Sequence, residues 1–303
     1  MANKRQHTIP QLYLKRFLNP GWVYRRGEAK PRHILTPSNV AVHPNYYGKN
    51  KASETTLDEL NTKIENKSAR SLEKLINNPE TFTPTDRVSL SFLLANMFFR
   101  NPVRIKEWSD AIVAAANEID EAARQTHGGQ HEALLLIGDP SEFNPKLYDE
   151  APIITHKQLK EHAYLLGSKG GHRIAAGDNF GALKEIAKCI EQMAFLIFEA
   201  PKGLFFVTSD RPLMLQRRKN GSQGGAGWVN DDTLVSIALS PIRFLLIFYT
   251  NRFDMVQTAA TPEQVAGLNV EVIRFAEKEI YSSSKYCEAD DWMKSVGRWR
   301  TKP

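Results

Sequence analysis

TLVSIALSPIRFLLIFYT, residues 233–250, holds two apolar runs separated by a short break at Ser240, Pro241 and Ile242. Both runs are short and rich in β-branched and aromatic residues, and neither repeats at helical spacing, so each reads as a strand. LFFVTSD at 204–210 has the same character, and the glycine-rich GSQGGAG at 221–227 separates it from TLVSIALS. The three segments are expected to form a sequential β set, the first two joined by that loop, with antiparallel pairing as the economical arrangement.

Working outward, residues 180–200 read as helix, and a further helix is expected over 262–278, followed by the strand-like EIYSS. Towards the N-terminus, Thr8 and Pro10 look like an N-cap and a first-turn proline, and Leu14, Phe17 and Leu18 continue at helical spacing, predicting a short helix over 9–18. Asn19-Pro20-Gly21 ends it, and short extended pieces are expected at 22–26, 33–35 and 39–42. From Thr55 an amphipathic helix runs to Asn77, and a second starts after Thr83-Pro84. Its stretch LSFLLANMFF, residues 90–99, is apolar almost all round, as in a helix buried within a layer. Residues 127–180 carry loop signals and little periodicity. The chain is therefore expected to be α+β, with a mixed or antiparallel sheet of N- and C-terminal strands packed against a central helical layer. One domain over 1–303 is expected, with 127–180 as a less regular insertion or lid.

With 42% hydrophobic and 24% charged residues among 303, the composition is that of a globular protein with a sizeable core. No apolar run reaches the roughly 18 residues of a membrane span, and MANKRQHTIPQ has no signal-peptide core behind its basic residues. Two distant cysteines, Cys189 and Cys287, suggest neither a disulfide framework nor a thiolate metal site. A cytoplasmic protein without a membrane partner is the expectation. Nothing in the spacing fixes an oligomeric state.

Charge is uneven. Residues 1–50 contain Lys4, Arg5, Lys15, Arg16, Arg25, Arg26, Lys30, Arg32 and Lys49 against Glu28 alone. The C-terminal Trp292, Lys294, Arg298, Trp299, Arg300 and Lys302 interleave cations with aromatics, a composition suited to phosphate contact and base stacking. Nucleic acid or a nucleotide is the partner this points to, with a solvated basic surface as the plain alternative.

Common catalytic signatures are missing. GSKGGHR (167–173) and GSQGGAG lack the P-loop spacing, and no GxGxxG, HExxH or GxSxG occurs. Arg124 and His131 are separated by a glycine pair that would break a shared helix. The eight histidines show no metal-ligand cadence. Four polar positions stand out instead. Arg100 closes the buried helix, where an unpaired guanidinium would cost several kcal/mol, so a carboxylate or bound anion is expected to meet it, with Asn101 and Arg104 enlarging the site. Ser209 and Asp210 end an apolar strand, Glu65 lies beside the core position Ile64, and His7 precedes the first helix. The structural alternatives are a Glu65–Arg100 ion pair, a turn cap at Asp210 and a backbone hydrogen bond from His7.

QHTIPQLYLKRF (6–17), FFRNPVR (98–104), TSDRP (208–212), ALSP (238–241) and LNVEVIRFAEKEIYSS (268–283) resemble, in this order, the motifs of the bacterial family known as domain of unknown function 4238. Asn101 departs from it, standing in place of a hydroxyl residue. The resemblance groups His7, Glu65, Arg100, Asp210 and Ser209 as recurring polar positions, and implies an ordered N-terminal string anchored by Pro10, Tyr13, Leu14 and Phe17. It carries no activity with it. Two functions follow from the residues. The first is a phosphodiester-directed enzyme, such as a nuclease-like toxin or defence effector. In it His7 acts as general acid or base, Asp210 and Glu65 orient it or bind Mg or Mn, Arg100 stabilises developing charge, and Arg104, Ser209, Arg298, Trp299 and Arg300 hold substrate. The second is a non-catalytic nucleic-acid-binding or interaction protein in which the same polar groups form a buried network. A small-molecule hydrolase or transferase with 127–180 as its lid is a further possibility.

Overall fold

A computed structural model describes residues 5–44, 57–102, 110, 114, 181–218, 228 and 230–294. The chain divides into two compact units, residues 1–101 with 175–303, and residues 102–174. All elements named here belong to the first; of the second, Pro102, Asp110 and Ala114 are helical positions.

The chain begins with β1 (Arg5–His7), α1 (Gln11–Leu14), β2 (Gly21–Arg25), β3 (Arg32–Ile34), a 3-10 turn at Pro37–Asn39 and β4 (Val42–Pro44). Two long helices follow, α2 (Leu57–Asn77) and α3 (Pro84–Arg100). The C-terminal part runs α4 (Gly181–Gln192), β5 (Ala194–Glu199), β6 (Thr208–Ser209), β7 (Met214–Arg217), β8 (Thr233–Ser240), β9 (Arg243–Phe248), β10 (Met255–Ala259), α5 (Pro262–Phe275), β11 (Glu279–Ser282) and α6 (Cys287–Lys294). The architecture is α+β, as the residue patterns imply.

TLVSIALS and RFLLIFYT are neighbouring antiparallel strands, β8 and β9, near the middle of a five-stranded sheet ordered β10-β5-β9-β8-β7. Only the β10–β5 pair is parallel, which makes the sheet mixed. A second sheet, ordered β3-β2-β11-β6, joins the two ends of the chain through antiparallel pairing of β2 with β11. β1 and β4 form a separate two-stranded ribbon. The helical layer grips the five-stranded sheet through two buried arginines. Arg243 on β9 donates to the Ile76 carbonyl at 3.0 Å and pairs with Glu199 at 2.5 Å. Arg87 on α3 donates to the Met193 carbonyl at 2.7 Å, pairs with Asp254 at 2.9 Å and lies 4.2 Å over the Phe195 ring. Spreading one guanidinium over a helix end and an aromatic face satisfies its donors where water is excluded.

Several expectations are corrected. The helix drawn over 180–200 stops at Gln192, and Ala194–Glu199 is β5, lying between β10 and β9. AFLIFE has no period because both of its faces are buried, so the amphipathic pattern before it ran on without a visible stop. LFFVTSD is a strand only at Thr208–Ser209, and this strand pairs with β11 rather than with TLVSIALS. The backbone ahead of it is held by a side chain: the Asn269 amide accepts from Val207 N at 3.0 Å and donates to the Phe205 carbonyl at 2.9 Å. The neighbour of β8 is instead Met214–Arg217. Residues 37–39 form a 3-10 turn rather than extended chain, with β4 beginning at Val42. Pro10, not Thr8, stands at the N-cap of α1; the Thr8 hydroxyl and amide both donate to the Ala41 carbonyl, at 3.3 and 2.9 Å.

The N-terminal string is tied down as the family motif implies, with Tyr13, Leu14 and Phe17 almost fully buried and the Tyr13 hydroxyl donating to the Ala238 carbonyl at 2.6 Å. Gly21 follows because nothing larger fits: a methyl there would stand 2.2 Å from the Phe17 carbonyl oxygen and 2.8 Å from that of Ser282.

The helices α2 and α3 are clamped at their connection by Asp86, which closes a capping box with Thr83 and accepts from Ser71 at 2.9 Å and Lys74 at 2.6 Å. Burial pushes this carboxyl up, but Lys74, Thr83 and Ser71 outweigh it and hold the group well below the usual carboxylate range. A depressed folded pKa contributes stability above the ordinary value and loses it as pH falls. Between pH 5 and 2 the wild-type protein should therefore lose roughly 2–3 kcal/mol more than Asp86→Asn, read from urea midpoints. Parallel profiles for the two proteins would remove Asp86 from the acid response.

Candidate functional site

The first strand, the ribbon and the end of α3 meet at Arg100. Its guanidinium is buried, pairs through Nη1 with Glu65 of α2, and donates through Nη2 to the backbone carbonyl of His7. The Glu65–Arg100 ion pair expected from the sequence is present. The half-buried His7 ring lies beside it. Nδ1 is 3.1 Å from the Val40 carbonyl, an acceptor only, so Nδ1 carries the proton. Nε2 is then a lone pair, and the Gln11 amide donates to it. Arg100 thus fixes the backbone of His7 while Val40 fixes its tautomer.

Asp210 is engaged differently. Its carboxylate accepts from the amides of Glu277 at 2.9 Å, Lys278 at 2.7 Å and Glu279 at 3.2 Å. Burial is the largest influence on this carboxyl and pushes it up to about 6; the nearby Glu279 charge adds to the rise and the three amides oppose it. The Asp210 carbonyl accepts from Asn101 Nδ2 at 3.2 Å, which links the residue after Arg100 to the TSDRP segment. Ser209 is fully buried, its hydroxyl accepting from Arg211 N at 3.2 Å. His7, Glu65 and Arg100 are therefore brought together, whereas the Asp210 carboxylate faces the turn before β11. Arg104, Arg298, Trp299 and Arg300 lie outside the described residues, as do the 127–180 segment and the glycine loop at 221–227. Among the described residues, no group of three His, Cys, Asp or Glu side chains could hold a metal ion.

The sequence reading passed over two polar residues beside this site. Ser71 donates to Asp86 at 2.9 Å and Ser68 to the Ser89 carbonyl at 2.7 Å, so three residues back on α2 match three residues forward on α3. Continuing that antiparallel register by two turns brings Asn61 level with Asn96, each one turn before Glu65 or Arg100 on its own helix. Both are almost fully buried, and the Nδ2 of each has no hydrogen-bond partner. Buried donors are nearly always satisfied, so this pair marks a place where an acceptor is wanted. The signal was in the sequence: apart from Ser91, Asn96 is the one polar residue of LSFLLANMFF.

The basic N-terminal block is partly neutralised by folding. Arg16 pairs with Glu73 at 2.5 Å, Arg32 with Glu28 at 3.0 Å, and Arg25 with both Glu28 and Glu279. Among the described residues, no helix is long and apolar enough to cross a membrane.

A family model described as "Protein of unknown function (DUF4238)" matches residues 5–286, nearly the whole chain, and the chain belongs to that family. No curated protein and no solved structure matches it.

Proposed function

We propose that this member of the DUF4238 family is an enzyme acting on a phosphodiester of a nucleotide or nucleic acid, with His7 as its general base. The observation that carries the reading is the fixed tautomer of His7, whose Nδ1–H is held by Val40 and whose Nε2 lone pair accepts from Gln11. A base so oriented takes a proton from water or a ribose hydroxyl without turning its own ring, once the Gln11 amide gives up Nε2 to the substrate. Arg100 and Glu65 are positioning residues. Asp210 serves the fold, its oxygens being taken by three amides. Divalent Mg or Mn enters as an additive to be tried, and a toxin or defence role as the setting in which such an activity is used.

The test is a gel assay of the purified protein on labelled single-stranded RNA, tRNA and DNA, with Mg, Mn or chelator, beside His7→Gln and His7→Ala proteins shown by circular dichroism to be folded. Cleavage should fall about 10²–10⁴-fold in both variants. Intact substrate in every wild-type lane overturns the reading.

A non-catalytic nucleic-acid-binding or interaction protein is the second reading, favoured by the closed Glu65–Arg100–His7 contact and the amide-bound Asp210. It expects retention of labelled strands that weakens linearly on a log–log salt plot, with no turnover.

A further inference from the structure

At one end of the five-stranded sheet, where β9 runs out and the chain turns into β10, lies a cavity of about 540 Å³ lined by Arg218 and residues 248–253. This is within the size range of small-ligand pockets. Three of its walls are aromatic. Phe253 meets Phe248 edge-on with centroids 5.9 Å apart, and Tyr249 is held in place by its hydroxyl, which donates to the Trp228 carbonyl at 3.0 Å. Burial first, then Cys189 and Asp231, push the Tyr249 phenol up to about 12, so it stays a neutral donor. Arg218 lies over the Phe248 ring at 5.5 Å and donates to the Tyr249 carbonyl at 3.3 Å.

The charges around this cavity are unbalanced. Asp232 is paired with Arg217 at 3.6 Å and Asp254 with Arg87 at 2.9 Å. That leaves the exposed guanidiniums of Arg218 and Arg252 without a carboxylate partner among the described residues, while the charge of Asp231 acts on Tyr249. Thr250 shapes the turn by accepting from Arg252 N at 3.3 Å, and Asn251 presents a solvent-facing amide that both donates and accepts.

Two cations beside a set of aromatic rings and an amide edge match a ligand with a planar ring system at one end and an oxyanion at the other. We propose that this sheet-end cavity binds a nucleoside phosphate, its base stacked among Phe248, Phe253 and the Arg218 plane, its base edge read by Asn251, and its phosphate held by Arg252 and Arg218. Stacking on aromatics with cations on the phosphate is how proteins hold single nucleotides, free or within a strand. The inference extends the nucleotide-directed reading to a second site and depends on none of the His7 chemistry.

The test is calorimetric titration of the full chain with AMP, adenosine and inorganic phosphate, together with fluorescence anisotropy of a short labelled single-stranded RNA. AMP should bind more tightly than either of its halves, and its Kd should rise about tenfold in Arg252→Gln and further in Arg218→Gln/Arg252→Gln. Phe253→Leu should weaken AMP but not phosphate. A site for a nucleotide within a strand is the outcome if RNA binding falls in the double variant while AMP binds nowhere. Wild-type and double-variant proteins that bind both AMP and RNA equally, or not at all, overturn the proposal. Nucleotide binding by a protein that cleaves nothing would overturn the His7 reading alone.

Discussion

Arg100→Met should destabilise the protein by about 3–5 kcal/mol, a large part of the stability of an ordinary domain. The guanidinium is buried and engages two groups at once, the Glu65 carboxylate and the His7 carbonyl. Removing it strands a carboxylate that is itself largely out of water and takes one donor from the His7 carbonyl at the start of the ribbon. Urea denaturation gives the size of the effect. Glu65→Gln should cost less, because Glu65 keeps 19% side-chain exposure against 5% for Arg100. Arg100→Met combined with Glu65→Leu should recover part of the loss, since the charge left behind is then gone, and the double-mutant cycle reports the pairing directly. A cost below about 1 kcal/mol for Arg100→Met would mean that water replaces the guanidinium and that the ribbon does not lean on α3.

Asp210→Ala should cost about 2–4 kcal/mol, because it removes the acceptor from three successive amides at the turn into β11. The Lys278 bond is exposed and contributes least, so hydrogen exchange should quicken most at Glu277 and Glu279. Asp210→Asn keeps an acceptor and should fall between alanine and wild type. The pH response has its own sign. A carboxyl raised from near 3.8 to about 6 favours the folded state below the ordinary value, and that contribution fades as pH rises through 6. Asp210→Asn should therefore flatten the decline of wild-type stability between pH 4 and 6. An alanine variant as stable as wild type would show that the three amides find water instead, and would return Asp210 to the list of groups available for chemistry.

Those two residues show what the sequence makes legible. Arg100 stood out because a cation directly after ten nearly continuous apolar positions needs a partner, and Glu65 was placed facing it by its neighbour Ile64. The partner on the other side, the His7 carbonyl, carries no residue type and cannot be seen in a string of side chains. Asp210 stood out for the same reason as Arg100, but its partners are amides more than sixty positions away, again backbone. The strands followed the same rule. TLVSIALS and RFLLIFYT were visible because turn residues bound them, whereas AFLIFE followed a helix with only Met193 between. Met214–Arg217 is four residues long and reads as a strand only because β8 offers it an edge. Asn61 and Asn96 were visible as residues but not as a pair, since their juxtaposition depends on the α2–α3 register set by Ser68 and Ser71.

The pairing of β2 with β11 has a consequence in time. Arg25 and Glu279 are bonded across 254 positions of chain, so on a ribosome adding 5–20 residues per second β2 waits roughly 10–50 s for β11. Throughout that wait the β11-facing edge of β2, which carries Val23 and Tyr24, has no partner strand. Nascent chains of this protein should be lasting clients of holding chaperones, and a stop codon placed shortly before Glu279 should yield not a trimmed protein but one in which the inner edge of β2 never closes.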